Sequence, residues 1–234
     1  MTNTTTIPTY RGRTYEDIAG AIDHSLLRPE LTLAEVEAGC AIAARYRTVS
    51  VCCRPVDVTF AHGLLTGTDV AIGTVVSFPH GNSTTAVKVA ETAEAVANGA
   101  TEIDVVLSIG LLRSGEFQRV QDDIAAVVAA ADGHLVKVIL ENAYLSDAEK
   151  VSACHLVESA GADYVKTSTG FAPSGATLDD LRLMRASVGP QMKVKAAGGV
   201  RTLDAMIDVL DVGCSRNGTI ATAVILDDFV ARAR

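Results

Sequence analysis

Tryptophan is absent from the 234-residue chain, and aromatic residues make up only 4% of it. Its core therefore has to be aliphatic, and the 48% hydrophobic content is mostly Ala, Val, Leu and Ile. That mix suits buried parallel strands covered by helices. An excess of basic residues is also missing. The net charge is −8 and the pI about 5.1, which removes the basic stripe that a nucleic-acid partner needs. Such a surface repels its own copies and favours solubility, while a locally cationic cleft for an anionic substrate stays open. No apolar run reaches the 18 or more residues of a membrane helix. The five cysteines, Cys40, Cys52, Cys53, Cys154 and Cys214, form no CxxC pair. An odd, unpatterned set fits a reduced cytoplasmic protein and neither a disulfide framework nor a zinc site. His24, His62, His80, His134 and His155 show no metal-ligand spacing, so no metal is expected. The polar opening MTNTTTIPTYRGR does not read as a signal peptide, and a cytoplasmic location follows.

What is present alternates between two textures. Short β-branched runs occur at 22–27, 48–53, 70–78, 101–107, 135–140, 163–168, 192–197 and 214–219. Ala-rich amphipathic stretches lie between them, at 32–46, 84–99, 116–132 and 147–161 among others. Strand–helix alternation implies βαβ units and a parallel sheet. AVANGATEIDVV (95–106) and LVESAGADYVKT (156–167) share one plan of helix, Gly-Ala, acidic residue and strand, in which the Gly ends the helix. Eight such units fit a single α/β domain, a (β/α)8 barrel over residues 14–234, close to the ~250 residues typical of that fold. A doubly wound open sheet is the alternative, without the GxGxxG turn such sheets often carry. Residues 1–13 read as a mobile tail, and GLLTGTD (63–69) as a plain turn.

Barrel strands are buried on both faces and should be apolar. Four carry a charge instead: Asp104, Lys137, Lys166 and Lys195. The steps between them are 33, 29 and 29 residues, each about one βα unit, which predicts comparable heights on consecutive strands. An unpartnered buried charge is expensive, so the four together read as a mutually compensated active site, against the plainer reading of structural pairs and rim lysines. Lys166 and Lys195 precede the small turns TSTG and AAGG, which places them at the C-terminal, functional end of a barrel. A free lysine has a pKa near about 10.4. Burial and a second cation lower it and free the amine to attack a carbonyl and form an imine. A nearby carboxylate, Asp104, can then move protons. Glu141 ends a strand and either reaches the site or pairs with a lysine.

The segments IDHSLLRPELT (22–32), VSVCCRPVDV (49–58), VVSFPHG (75–81), EIDVVLSIG (102–110), VKVILEN (136–142), DYVKTSTGF (163–171) and VKAAGGVR (194–201) resemble the 2-deoxyribose-5-phosphate aldolases, in order from about residue 17 to 219. The resemblance implies a (β/α)8 barrel that reversibly cleaves 2-deoxy-D-ribose 5-phosphate to D-glyceraldehyde 3-phosphate and acetaldehyde, without metal or organic cofactor. It implies that Lys166 is the Schiff-base lysine, Lys195 the lysine that perturbs it, and Asp104 the proton relay. Asp23 and Ser25 match positions near the substrate hydroxyls. Cys52 matches a strand cysteine close to the site, although from the sequence alone it reads as buried and inert. Lys137 is placed with the substrate as well. Gly170, Gly198 and Gly199 fit the glycine-rich turns that the resemblance implies hold the substrate phosphate, where backbone N–H groups make an anion nest, and Thr169, Gly218 and Thr219 are expected at the substrate with them. The resemblance also implies a homodimer. One segment departs from the family pattern. SRNGTIAT (215–222) carries Ile220 and Ala221 where hydroxyl residues are expected, and Asn217 where an apolar residue is expected. That leaves two readings for the phosphate end: binding by backbone N–H groups, Thr219 and Arg201, or a shift toward unphosphorylated aldehydes. Another class I aldolase or transaldolase barrel, a non-catalytic sugar-phosphate-binding barrel and a pyridoxal-phosphate enzyme are the competing functions. The last needs a phosphate cup and a ring-nitrogen partner.

Overall fold

The computed structural model describes residues 7–234. Eight parallel strands close into one barrel in chain order: β1 (Ile22–Leu26), β2 (Ser50–Cys53), β3 (Ala71–Val76), β4 (Glu102–Val106), β5 (Leu135–Ile139), β6 (Tyr164–Lys166), β7 (Lys193–Ala197) and β8 (Arg216–Thr219), with β8 hydrogen-bonded back to β1. All eight expected runs become strands. Among the described residues ten α-helices surround them: α1 (Tyr15–Ala19), α2 (Leu33–Tyr46), α3 (Val58–Leu65), α4 (Thr85–Ala97), α5 (Ile109–Arg113), α6 (Phe117–Ala130), α7 (Asp147–Ser159), α8 (Leu178–Ala186), α9 (Leu203–Asp211) and α10 (Thr222–Arg232). The architecture is a single (β/α)8 barrel.

The helix starts are written locally. Thr14, Thr32 and Ser146 cap α1, α2 and α7 in capping boxes closed by Asp17, Glu35 and Glu149. The stretch 63–69 is not wholly a turn. Gly63, Leu64 and Leu65 form the last turn of α3, because Leu65 is drawn into the core at 4% exposure. One continuous aliphatic core fills the space between barrel and helices. It includes Val51, Ile103, Val105, Val138, Val165 and Val194, the strand residues that face the helices. Strand alternation then turns Glu102, Asp104, Lys137, Tyr164, Lys166, Lys195 and Arg216 to the barrel interior.

Of the tail, residues 1–6 lie outside the described residues. Residues 7–13 are tied to the barrel. Thr9 exchanges backbone hydrogen bonds with Arg234, and Arg11 and Arg13 pair with Asp208 and Asp211 of α9 at 2.9 Å. One further buried pair sits outside the barrel. Lys88 of α4, fully buried, donates to Asp123 of α6 at 2.5 Å, to the Val106 carbonyl at 3.0 Å and to Ser108 Oγ at 3.1 Å. It locks two helices to the end of β4.

Candidate active site

The interior charges meet at Asp104. Its Oδ2 accepts from Lys166 Nζ at 2.6 Å and from Lys195 Nζ at 2.7 Å, and its Oδ1 from Lys137 Nζ at 2.8 Å. All four side chains are at most 3% exposed. The register explains the meeting. Asp104 stands opposite Lys137, and Lys166 opposite Lys195, while Lys137 faces Tyr164, so Lys166 sits two residues further along the stagger than equal heights would give. Inclined strands of a closed barrel require such offsets, and a lysine side chain spans the difference.

Two residues missing from the sequence reading complete the network. Glu102, one interior position below Asp104, binds Lys137 at 2.6 Å and Arg216 at 2.9 Å. Arg216 also reaches Asp23 at 2.5 Å, and Asp23 contacts Lys195. Glu102 was available as the residue two before Asp104, on the same side of a strand. Arg216 hid in the least strand-like run, 21 residues after Lys195, where the one-unit spacing fails. Asp23 and Lys137 are expected at the substrate. Asp23 is fully buried and Lys137 is 1% exposed; both are held in ion pairs, and, like Asp104, Lys166 and Lys195, neither lines the open cleft.

The two lysines at Asp104 are driven apart electrostatically. Burial, helped by the neighbouring Lys195 ammonium and opposed by Asp104, lowers the pKa of Lys166. Burial acts on Lys195 as well, but Asp104 and Asp23 outweigh it and raise its pKa. Burial pushes the carboxyls of Asp104 and Asp23 upward, yet the surrounding lysines prevail and hold both below the usual carboxylate range. Two like groups with pKa values pushed in opposite directions can serve as nucleophile and acid. Cys52 lies among Leu27, Val75 and Phe78 on the same interior, and burial, reinforced by Asp104, pushes its thiol up to about 11. At neutral pH it is an unreactive thiol.

Above the charges opens a cleft of about 270 Å³. Ser25, Thr169, Gly170, Gly198, Gly199, Gly218 and Thr219 all line it, together with Arg28, Phe171, Arg201 and Ile220. Gly170, Gly198 and Gly199 have φ of 89°, 82° and 95°, a region that favours glycine. At Gly198 a Cβ would stand 2.9 Å from the Cα of Gly175. At Gly218 an added Cβ would meet Lys195 Cε at 3.6 Å, an ordinary contact. The two threonine hydroxyls are not free donors. Thr219 Oγ1 donates to the Val200 carbonyl at 2.8 Å and accepts from Ala221 N. Thr169 Oγ1 donates to Glu141, whose carboxylate also accepts from Thr169 N at 3.2 Å. Glu141 thus fastens the turn after Lys166 rather than pairing with a lysine, and it does so from a left-handed backbone, φ 58°. Ile220 is 58% exposed and Phe171 47%, so the mouth of the cleft is apolar on one side and carries two arginines.

The model of the DeoC/LacD family aldolases matches residues 18–224. The chain is 48% identical over 217 residues to the deoxyribose-phosphate aldolase of Lysinibacillus sphaericus, covering 92% of this chain and 97% of that one. It is 50% identical over 206 residues to the Streptococcus suis enzyme of the same name, covering 88% and 94%. Its fold is similar to a solved tetrameric deoxyribose phosphate aldolase from Aeropyrum pernix, with TM-score 0.87, 30% identity and 93% of each chain covered. The agreement extends over the whole barrel and includes every strand that carries the charge cluster, and the chain belongs to the DeoC/LacD family of aldolases.

Proposed function

We propose that this chain reversibly cleaves 2-deoxy-D-ribose 5-phosphate to D-glyceraldehyde 3-phosphate and acetaldehyde, through an imine on Lys166. The observation that carries the reading is the pair of lysines on one carboxylate oxygen, Lys166 at 2.6 Å and Lys195 at 2.7 Å from Asp104 Oδ2, with their proton affinities displaced in opposite directions. The Lys166 amine adds to the substrate aldehyde. The carbinolamine loses water, its oxygen protonated from Lys195 through Asp104, and a protonated imine remains. A base takes the proton of the substrate's C3 hydroxyl, the C2–C3 bond breaks, and its electron pair flows into the imine as an enamine while glyceraldehyde 3-phosphate leaves. Proton return to the enamine carbon gives the acetaldehyde imine, which water hydrolyses to acetaldehyde and free Lys166. General acid–base help of this kind is worth about 10²–10⁴-fold.

At the far end, Arg28, Arg201 and the glycine turns offer the phosphate charge and backbone N–H groups. A second reading rests on Ile220, which stands exposed at the cleft mouth: the chain also takes unphosphorylated, more apolar aldehydes. Five free, buried cysteines support a reducing, cytoplasmic setting, and a homodimer is the assembly we infer from the family resemblance. Acetaldehyde with borohydride tests the chemistry. A two-carbon adduct should map to Lys166 by mass spectrometry and vanish in Lys166→Ala; scattered adducts on surface lysines overturn the assignment. The same trap with phosphorylated and unphosphorylated deoxyribose ranks the two readings of the cleft.

A further inference from the structure

The chemistry above uses Lys166, Lys195 and Asp104. It leaves the Glu102–Arg216 pair beneath them without a role, at a depth where apolar side chains of similar volume would be no less stable. Arg216 bridges carboxylates from two distant strands, Asp23 of β1 at 2.5 Å and Glu102 of β4 at 2.9 Å. Neither Glu102 nor Arg216 lines the cleft, and neither makes an ion pair with Lys166. They reach it by two routes, through Lys137 to Asp104 and through Asp23 to Lys195.

Charge balance gives this placement a meaning. The interior holds three linked carboxylates, Asp23, Glu102 and Asp104, against four cations, Lys137, Lys166, Lys195 and Arg216. Three cations suffice for three carboxylates, and the fourth is in surplus. Lys166 contacts only one carboxylate, already shared with two other ammonium groups, so it is the cation with least to lose. The other titratable groups facing it are Cys52 of β2, a buried thiol, and Glu141 beyond β5, whose carboxylate is occupied by Thr169. Tyr164 of β6 lies against Arg216.

We propose that Arg216, held by Glu102, is a positioning residue that sets the charge of Lys166: by occupying Asp23 and Glu102 it makes Lys166 the surplus cation, and so the amine that the barrel releases for catalysis. The inference rests on the imine chemistry proposed above.

The test is the pH dependence of Lys166 labelling by acetaldehyde and cyanoborohydride, read by peptide mass spectrometry, in parallel with the pH profile of kcat/KM. Arg216→Gln removes a cation, and the midpoint of labelling should rise. Glu102→Gln removes an anion and keeps an acceptor oxygen for only one of Lys137 and Arg216, and the midpoint should fall. Each shift should be about one pH unit, the Coulomb effect of one charge ~10 Å away at an effective dielectric of ~20. The double variant should return to the wild-type midpoint, and Arg216→Lys should stay there. Midpoints that do not move, or move the same way in both single variants, overturn the inference while Lys166 still labels. Absence of a Lys166 adduct in the wild type overturns the imine chemistry itself. If Arg216→Gln does not fold, a Glu102→Gln midpoint that fails to fall is sufficient to reject the proposal.

Discussion

Replacing Asp104 by Asn separates the parts of this site. Asp104 accepts from three ammonium groups at 2.6, 2.7 and 2.8 Å and is fully buried. The substitution keeps the shape, removes the charge and turns an amide N–H₂ or a weaker carbonyl acceptor toward those groups. Breaking one side of a buried ion pair costs about 3–5 kcal/mol. In a chain of this size each kcal/mol is worth roughly 2–4 °C, so the melting temperature should fall by ~6–20 °C. The loss depends on pH with a definite sign. Burial alone would raise the Asp104 carboxyl, but Lys137, Lys166 and Lys195 bring it well below its ordinary value of 3.8. Its stabilising contribution is therefore complete above about pH 4 and lost as the pH falls through the depressed value. Calorimetry should find the gap between wild type and variant constant from pH 8 to 5 and narrowing only in strong acid. Catalysis should split. Without the carboxylate Lys166 sheds its proton more easily, so borohydride should still trap acetaldehyde on it at pH 7. Turnover, which needs protons moved, should drop by about 10²–10⁴-fold. A variant that melts with the wild type, or that loses trap and turnover together, would refute this account of Asp104.

Asn217 is fully buried in β8, and neither atom of its amide finds a hydrogen-bond partner among the described residues. Asn217→Val should therefore raise stability by about 1–3 kcal/mol, and a lower melting temperature would mean the amide is satisfied after all. Ile220→Ser puts a hydroxyl donor where an exposed aliphatic group now borders the arginine-lined cleft. One hydrogen bond to a charged group, about 1.5 kcal/mol or more, should lower KM for the phosphorylated sugar about tenfold and leave kcat alone; an unchanged ratio of KM values for the phosphorylated and unphosphorylated sugars would contradict it. Lys88→Met leaves Asp123 buried without its 2.5 Å partner and should cost about 3–5 kcal/mol, visible as an earlier urea midpoint. A midpoint equal to wild type would show the latch to be idle.

The barrel was legible because its strands are dry on both faces, so β-branched runs and their charged exceptions stand out together. The position of Lys166 followed from spacing, since one βα unit separates it from Lys137 and from Lys195. Arg216 did not follow, because the run RNGT carries a glycine and a polar residue and its spacing to Lys195 is short. Whether a hydroxyl is free is also invisible in sequence. Thr169 and Thr219 both line the cleft, yet their protons go to Glu141 and to the Val200 carbonyl, partners fixed by turn geometry. Asp23 and Lys137 are expected at the substrate, and only the closed barrel shows the ion pairs that hold them, with Lys195 and Arg216 for Asp23 and with Glu102 and Asp104 for Lys137. Gly63 and Gly67 suggested a turn at 63–69, but burial of Leu65 carried α3 through its first half.

Lys166 and Lys195 lie opposite each other on neighbouring strands, are equally buried and share one carboxylate oxygen. Residue type, strand position and depth therefore cannot explain why one loses affinity for its proton and the other gains it. The difference is a second carboxylate. Lys195 touches Asp23 as well as Asp104, whereas Lys166 touches Asp104 alone. Asp23 comes from β1, and β1 meets the end of the chain only because β8 closes the barrel beside it. An open sheet of the same strands would leave the two lysines in like surroundings. Closure of the barrel thus supplies the asymmetry that lowers the proton affinity of one lysine and raises that of the other.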